Sequence, residues 1–80
     1  MSKWEKLIDR LYNLDRSLRY DELSKILENC GYKGKETGGG SSHITFRKKG
    51  RTPITIPRHG RIKEAYIKII RSAVEQEENQ

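Results

Sequence analysis

A chain of 80 residues, 32% hydrophobic and 35% charged, holds one domain with a small core, which excludes a large enzyme scaffold and a deep cofactor pocket. Its net charge of +6 is unevenly placed: residues 1–30 balance six basic against six acidic side chains, whereas residues 31–71 carry eleven basic ones against only Glu36 and Glu64. A basic middle of this kind fits a polyphosphate partner, although a lysine-rich surface also serves solubility alone.

Trp4, Leu7, Ile8, Leu11 and Leu14 recur at helical spacing, which predicts an amphipathic helix from about Ser2 to Asn13. Its opening lacks the apolar stretch of a signal peptide, and no run approaches the roughly 20 apolar residues that cross a bilayer. A cytoplasmic protein without a membrane partner is therefore expected. A second helix fits from Asp21, read as its N-cap, through Leu23, Ile26, Leu27 and Cys30. Gly31 supplies its left-handed C-terminal position, and Tyr20 and Tyr32 flank it. Cys30 alone makes neither an internal disulfide nor a metal site, and reads as a small buried residue.

The period then changes. Residues 32–37 allow a short strand, and Gly38 to Ser42 read as a flexible turn. From His43 to Lys48 the residues alternate, with Ile44 and Phe46 on one face and His43, Thr45 and Arg47 on the other. Lys49-Gly50 makes a hairpin turn. Thr52 to Ile56 forms the next strand, placed near an edge by Pro53. After the loop Pro57-Arg58-His59-Gly60, a stripe of Ile62, Tyr66, Ile69, Ile70 and Ala73 predicts a last helix, with residues 76–80 as a frayed tail. Trp4, Tyr12, Tyr20 and Tyr66 read as core residues. The fold class is α+β: a three-stranded antiparallel sheet with helices on one face and its other face open. All 80 residues form a single domain.

Chemistry has few candidates. The two histidines, His43 and His59, have no ligand spacing or carboxylate cluster around them, so neither a metal nor a cofactor is expected. The glycine run Gly38 to Gly40 leads into a strand and is not followed by Lys-Ser or Lys-Thr, so it is not a nucleotide loop. His43, on the polar face of its strand, suits proton transfer near neutral pH, although spacing alone favours a plain hydrogen-bonding strand residue. His59 reads either as a second proton carrier or RNA contact beside Arg58, or as a turn residue capping the next helix, and turn chemistry favours the latter. Arg47, Lys48, Lys49, Arg51, Arg58 and Arg61, around two turns, are candidates for phosphate contacts.

Gly40-Ser41-Ser42-His43-Ile44, following Gly31-Tyr32 at a helix end, resembles the Gly-Ser-x-His segment of the HicA toxins. Ile54 to Gly60 is similar to that family's strand ending in Pro-Arg-His, and the last helix also fits. Together these cover residues 21–74. The resemblance implies a double-stranded-RNA-binding-domain-like fold, ribosome-independent cleavage of mRNA with His43 as the catalytic histidine, and neutralisation by a HicB antitoxin. The helix over residues 1–14 departs from shorter members of the family. The rival readings are a non-catalytic RNA-binding domain of the same fold and a protein-interaction module that meets an acidic partner.

Overall fold

The computed structural model describes residues 2–36 and 42–78, in the order helix, helix, three strands, helix. Helix α1 spans Lys3–Tyr12. It starts at Ser2, whose hydroxyl accepts from the Glu5 N–H at 3.1 Å while the Glu5 carboxylate reaches back to the Ser2 N–H, a reciprocal cap that satisfies two otherwise orphaned donors. It ends where the Leu14 N–H donates to the Leu11 carbonyl and the Asp15 N–H to the Arg10 carbonyl. This places Leu14 at φ +54°, a left-handed position where a side chain is strained. Below it, Arg10 donates to Asp15 and Ser17, each at 3.0 Å, and pairs with Glu22 of the next helix. The Ser17 hydroxyl and backbone N–H, with Arg10 next, lower the Asp15 carboxyl to a pKa of about 2.

Helix α2 spans Tyr20–Asn29. Its N-cap is Arg19 and not Asp21, which lies in the first turn. The Glu22 carboxylate accepts the Arg19 N–H at 3.1 Å, so the start is fixed by an acid three residues in rather than by a capping oxygen at the boundary. Its end is as expected. Gly31 adopts φ +94°, its N–H bonding the Glu28 carbonyl and the Tyr32 N–H that of Leu27, which closes the helix and turns the chain toward the sheet.

The sheet is an antiparallel meander of β1 (Lys33–Glu36), β2 (His43–Arg47) and β3 (Ile54–Pro57), in the order β1-β2-β3. β3 starts at Ile54, two residues later than expected. The turn widens to include Thr52 and Pro53, with the Arg51 N–H on the Lys48 carbonyl, and a proline has no N–H to give a ladder. The expected turn Gly38 to Ser42 lies almost wholly outside the described residues, with only Ser42 inside. The last helix, α3, spans Glu64–Glu78. Ile62 is fully buried just before it.

α2 packs on β1, α3 on β3, and α1 on α3, so the helices cover one sheet face. Between the layers lie Ile44, Phe46, Ile54 and Ile56 of the sheet against Leu23, Ile26, Leu27, Ile67, Ile70 and Val74 of the helices. Burying side chains of this size contributes about 1.5–3 kcal/mol each. On α3 the buried stripe is Ile67, Ile70, Ala73 and Val74, whereas Ile69 is 48% exposed and Tyr66 half-buried. Trp4 is exposed as well. It lines an open groove of about 670 Å³ with Ile8, Tyr12 and Val74, to which no strand contributes. Residues 76–78 are helical and not frayed. Glu77 pairs with Lys48, and Glu78 accepts the Tyr12 hydroxyl at 2.9 Å, tying the end of α3 to the hairpin and to α1.

Gly34 has a specific task. It faces Phe46 across the ladder, and a Cβ there would lie 2.7 Å from Cε2 of the Phe46 ring and 3.1 Å from the Ile44 Cγ2. The ring fills the space that any other residue would need. Gly34→Ala is therefore expected to destabilise the fold by about 1–3 kcal/mol, as an overpacked core site. A thermal melt beside wild type checks this, and an unchanged midpoint contradicts it.

Candidate nucleic-acid interface

The alternation of β2 decides where the site lies. Ile44 and Phe46 point into the core, so His43, Thr45 and Arg47 fall on the uncovered face. Strand register extends that face sideways. Lys33 lies opposite Arg47 and Lys35 opposite Thr45 on the β1 side, and Thr55 opposite Thr45 and Pro57 opposite His43 on the β3 side. The uncovered face thus shows three levels: Lys33 with Arg47, then Lys35 with Thr45 and Thr55, then His43 with Pro57.

His43, Arg47, Lys33 and Lys35 are exposed, whereas Thr45, in the middle, is buried. The Thr45 and Thr55 hydroxyls share a hydrogen bond of 2.9 Å, which satisfies both across the strands. Beyond β3 the Arg58 N–H donates to the Ser42 carbonyl at 2.6 Å, carrying the ladder one step past His43. His59 therefore follows two residues after His43's cross-strand neighbour, at the same end of the sheet. It does not start the next helix, because Lys63 precedes α3.

The expected basic residues separate into two groups. Lys48 turns inward: it pairs with Glu77, donates to the Cys30 carbonyl at 2.7 Å and lies 5.9 Å from the centre of the Tyr32 ring. Arg51 shares Glu77 at 3.8 Å, and both side chains are only a quarter exposed. These two fasten the hairpin to α3. Arg58 reaches Glu36 at 2.7 Å in an exposed pair, of a kind worth about 0–1 kcal/mol and easily exchanged for another anion. Arg47, Lys49 and Arg61 are exposed and have no carboxylate partner among the described residues. Lys33 and Lys35, which sequence reasoning missed, belong with them. No alternation in the sequence marks their face, because the core-side residue between them is a glycine, and only the pairing with β2 reveals it.

Cys30 is half-buried at the end of α2. Burial first, and then Glu77, push its thiol up, away from the thiolate that a reactive cysteine needs. Among the described residues no three histidine, cysteine or acidic side chains converge as metal ligands, and no helix is long and apolar enough to cross a membrane. The basic face is a sheet surface carrying an imidazole at one end, a shape that suits an extended polymer better than an enclosed small molecule.

Residues 20–76 match the family described as the HicA toxin of bacterial toxin–antitoxin systems. The match starts at the first residue of α2 and leaves α1 outside. No curated protein and no solved structure matches the chain.

Proposed function

Because the chain belongs to the HicA toxin family of bacterial toxin–antitoxin systems, we propose that it is an endoribonuclease acting on mRNA, with His43 as general acid/base. The observation that carries this reading is the exposed His43 on an uncovered sheet face whose other charged residues are all basic: Lys33, Lys35 and Arg47. Cleavage at a ribonucleotide needs three things. The 2′-OH must lose a proton, its oxygen must attack phosphorus, and the departing 5′-oxygen must gain a proton, leaving a 2′,3′-cyclic phosphate. An imidazole serves one of the proton transfers, and neighbouring cations stabilise the charge that builds on the phosphoryl oxygens. A HicB-type antitoxin laid over the same face would block both tasks, and an acidic surface on it would complement the cations. An mRNA substrate places the protein in the cytoplasm.

The test is incubation of the purified chain with a long RNA in EDTA. Fragments ending in 2′,3′-cyclic phosphate, formed at the same rate with and without the chelator, are the expected result. Binding without cleavage would replace the enzyme by a non-catalytic RNA-binding domain. Neither binding nor cleavage would remove RNA from the reading altogether.

A further inference from the structure

We infer that β1 supplies half of the RNA site: Lys33 and Arg47 clamp one phosphate between them and Lys35 meets another nearer His43, so that the sheet grips the sugar–phosphate backbone of a single strand. This rests on the RNA reading above and adds residues and a binding mode to it.

The clamp follows from register. Residues directly opposite in an antiparallel pair have Cβ atoms about 4.5–5.5 Å apart, and like charges so placed repel. Lys33 and Arg47 are such a pair, both exposed. Among the described residues neither has a carboxylate partner, whereas Lys48, Arg51 and Arg58 each have one. The fold thus quenches Lys48, Arg51 and Arg58, and leaves two facing cations on β1 and β2 to an anion from outside. A phosphate between them turns a repulsive pair into a bidentate site.

Spacing gives the direction. Lys33 and Lys35 are two residues apart on one strand, about 7 Å, and Arg47 and His43 four apart, about 13 Å. A strand of RNA lying along β2 would meet the Lys33–Arg47 pair, then the level of Lys35, then His43. Gly34, pressed against the Phe46 ring on the core side, fixes the level of both lysines.

The same face explains what is read. Base-stacking proteins present aromatic rings to successive bases. Here Tyr32 and Phe46 are buried in the core and Tyr20 packs against it, so that, among the residues of the three strands, His43 carries the one aromatic ring on the uncovered face. The grip is therefore on phosphates, with weak sequence preference. Attack by a 2′-oxygen also needs that atom in line with the departing 5′-oxygen, an arrangement an unpaired strand reaches and a stacked duplex resists.

The experiment measures binding of a short, mixed-sequence, 2′-O-methyl RNA, which resists cleavage, across a salt series. Kinetics on the unmodified RNA run in parallel. Lys33→Gln and Arg47→Gln are each expected to lower the slope of log K against log salt by about 0.7, the loss of one phosphate contact to a single strand. They should raise KM and spare kcat, with Lys33→Arg restoring the slope. Lys35→Gln should lower kcat as well. Lys25→Gln, on the exposed side of α2, serves as the remote control and should leave both unchanged. Unchanged slope and KM in Lys33→Gln and Arg47→Gln, with a wild type that binds and cuts, would overturn the clamp alone. A duplex bound more tightly than the single strand, or a strong preference among homopolymers, would overturn the backbone mode. A wild type that neither binds nor cuts RNA removes the parent reading with it.

Discussion

His43→Ala is expected to lower RNA cleavage by about 10²–10⁴-fold, the usual contribution of a general acid or base, and with it the toxicity of the expressed chain. The substitution should leave the fold in place. His43 is exposed and opposite in parity to Ile44 and Phe46, so its removal opens no core cavity, and surface changes of this kind usually stay within about 0.5 kcal/mol. Circular dichroism and a thermal melt recorded on the same sample separate lost chemistry from lost structure. His59→Ala is the informative companion. His59 lies at the same end of the sheet, and its loss should reduce cleavage partly or not at all. A folded His43→Ala protein that cuts at nearly the wild-type rate would end the catalytic assignment.

The second large effect is on stability. Phe46→Ala should cost about 3–5 kcal/mol, as the removal of a buried aromatic ring does. Phe46 is 1% exposed, its ring is packed over Gly34, and it lies 6.2 Å from the Tyr20 ring, centre to centre. The residue opposite on β1 is a glycine, with no side chain to move into the space. A domain of this size has a total stability of about 4–12 kcal/mol, so the variant should lose a large part of it, with a midpoint drop on the order of 20 °C. Urea unfolding beside wild type gives the figure directly. A drop of only a few degrees would show that the ring contributes little.

These two residues also show what a sequence of this kind discloses. The alternation from His43 to Arg47 is unambiguous, because apolar and polar residues strictly exchange places, so both the buried ring and the exposed imidazole are readable before any coordinates. β1 is different. Its core-side positions are Gly34 and Glu36, neither of them apolar, so no alternation marks its faces, and Lys33 and Lys35 cannot be assigned to the face of His43 without the pairing partner. The last helix fails for another reason. Tyr66, Ile69, Ile70 and Ala73 fit helical spacing as well as Ile67, Ile70, Ala73 and Val74 do, and the two stripes differ only by a small rotation. Packing against β3 and α2 chooses the second. Lys48 illustrates a third limit, since a lysine in a basic hairpin looks like a phosphate ligand until Glu77, far along the chain, is brought beside it. The RNA contacts offered for Arg47, Lys49, Arg58, His59 and Arg61 stand as proposals on exposed or weakly paired residues. For Lys48 and Arg51 the internal pairing with Glu77 competes with that role.

The order of the strands has a consequence in time. Each strand pairs with its neighbour in the chain, so the sheet closes through short loops, and local topologies of this kind fold fast, within about milliseconds for mixed α and β domains. Synthesis at roughly 5–20 residues per second is far slower, so such a chain is competent almost as soon as it leaves the ribosome. A toxin with these kinetics leaves no interval in which a partner made later could intercept it unfolded. A neutralising partner would then have to bind the folded toxin, and the supply of that partner, rather than the maturation of the toxin, would set when the cell is at risk.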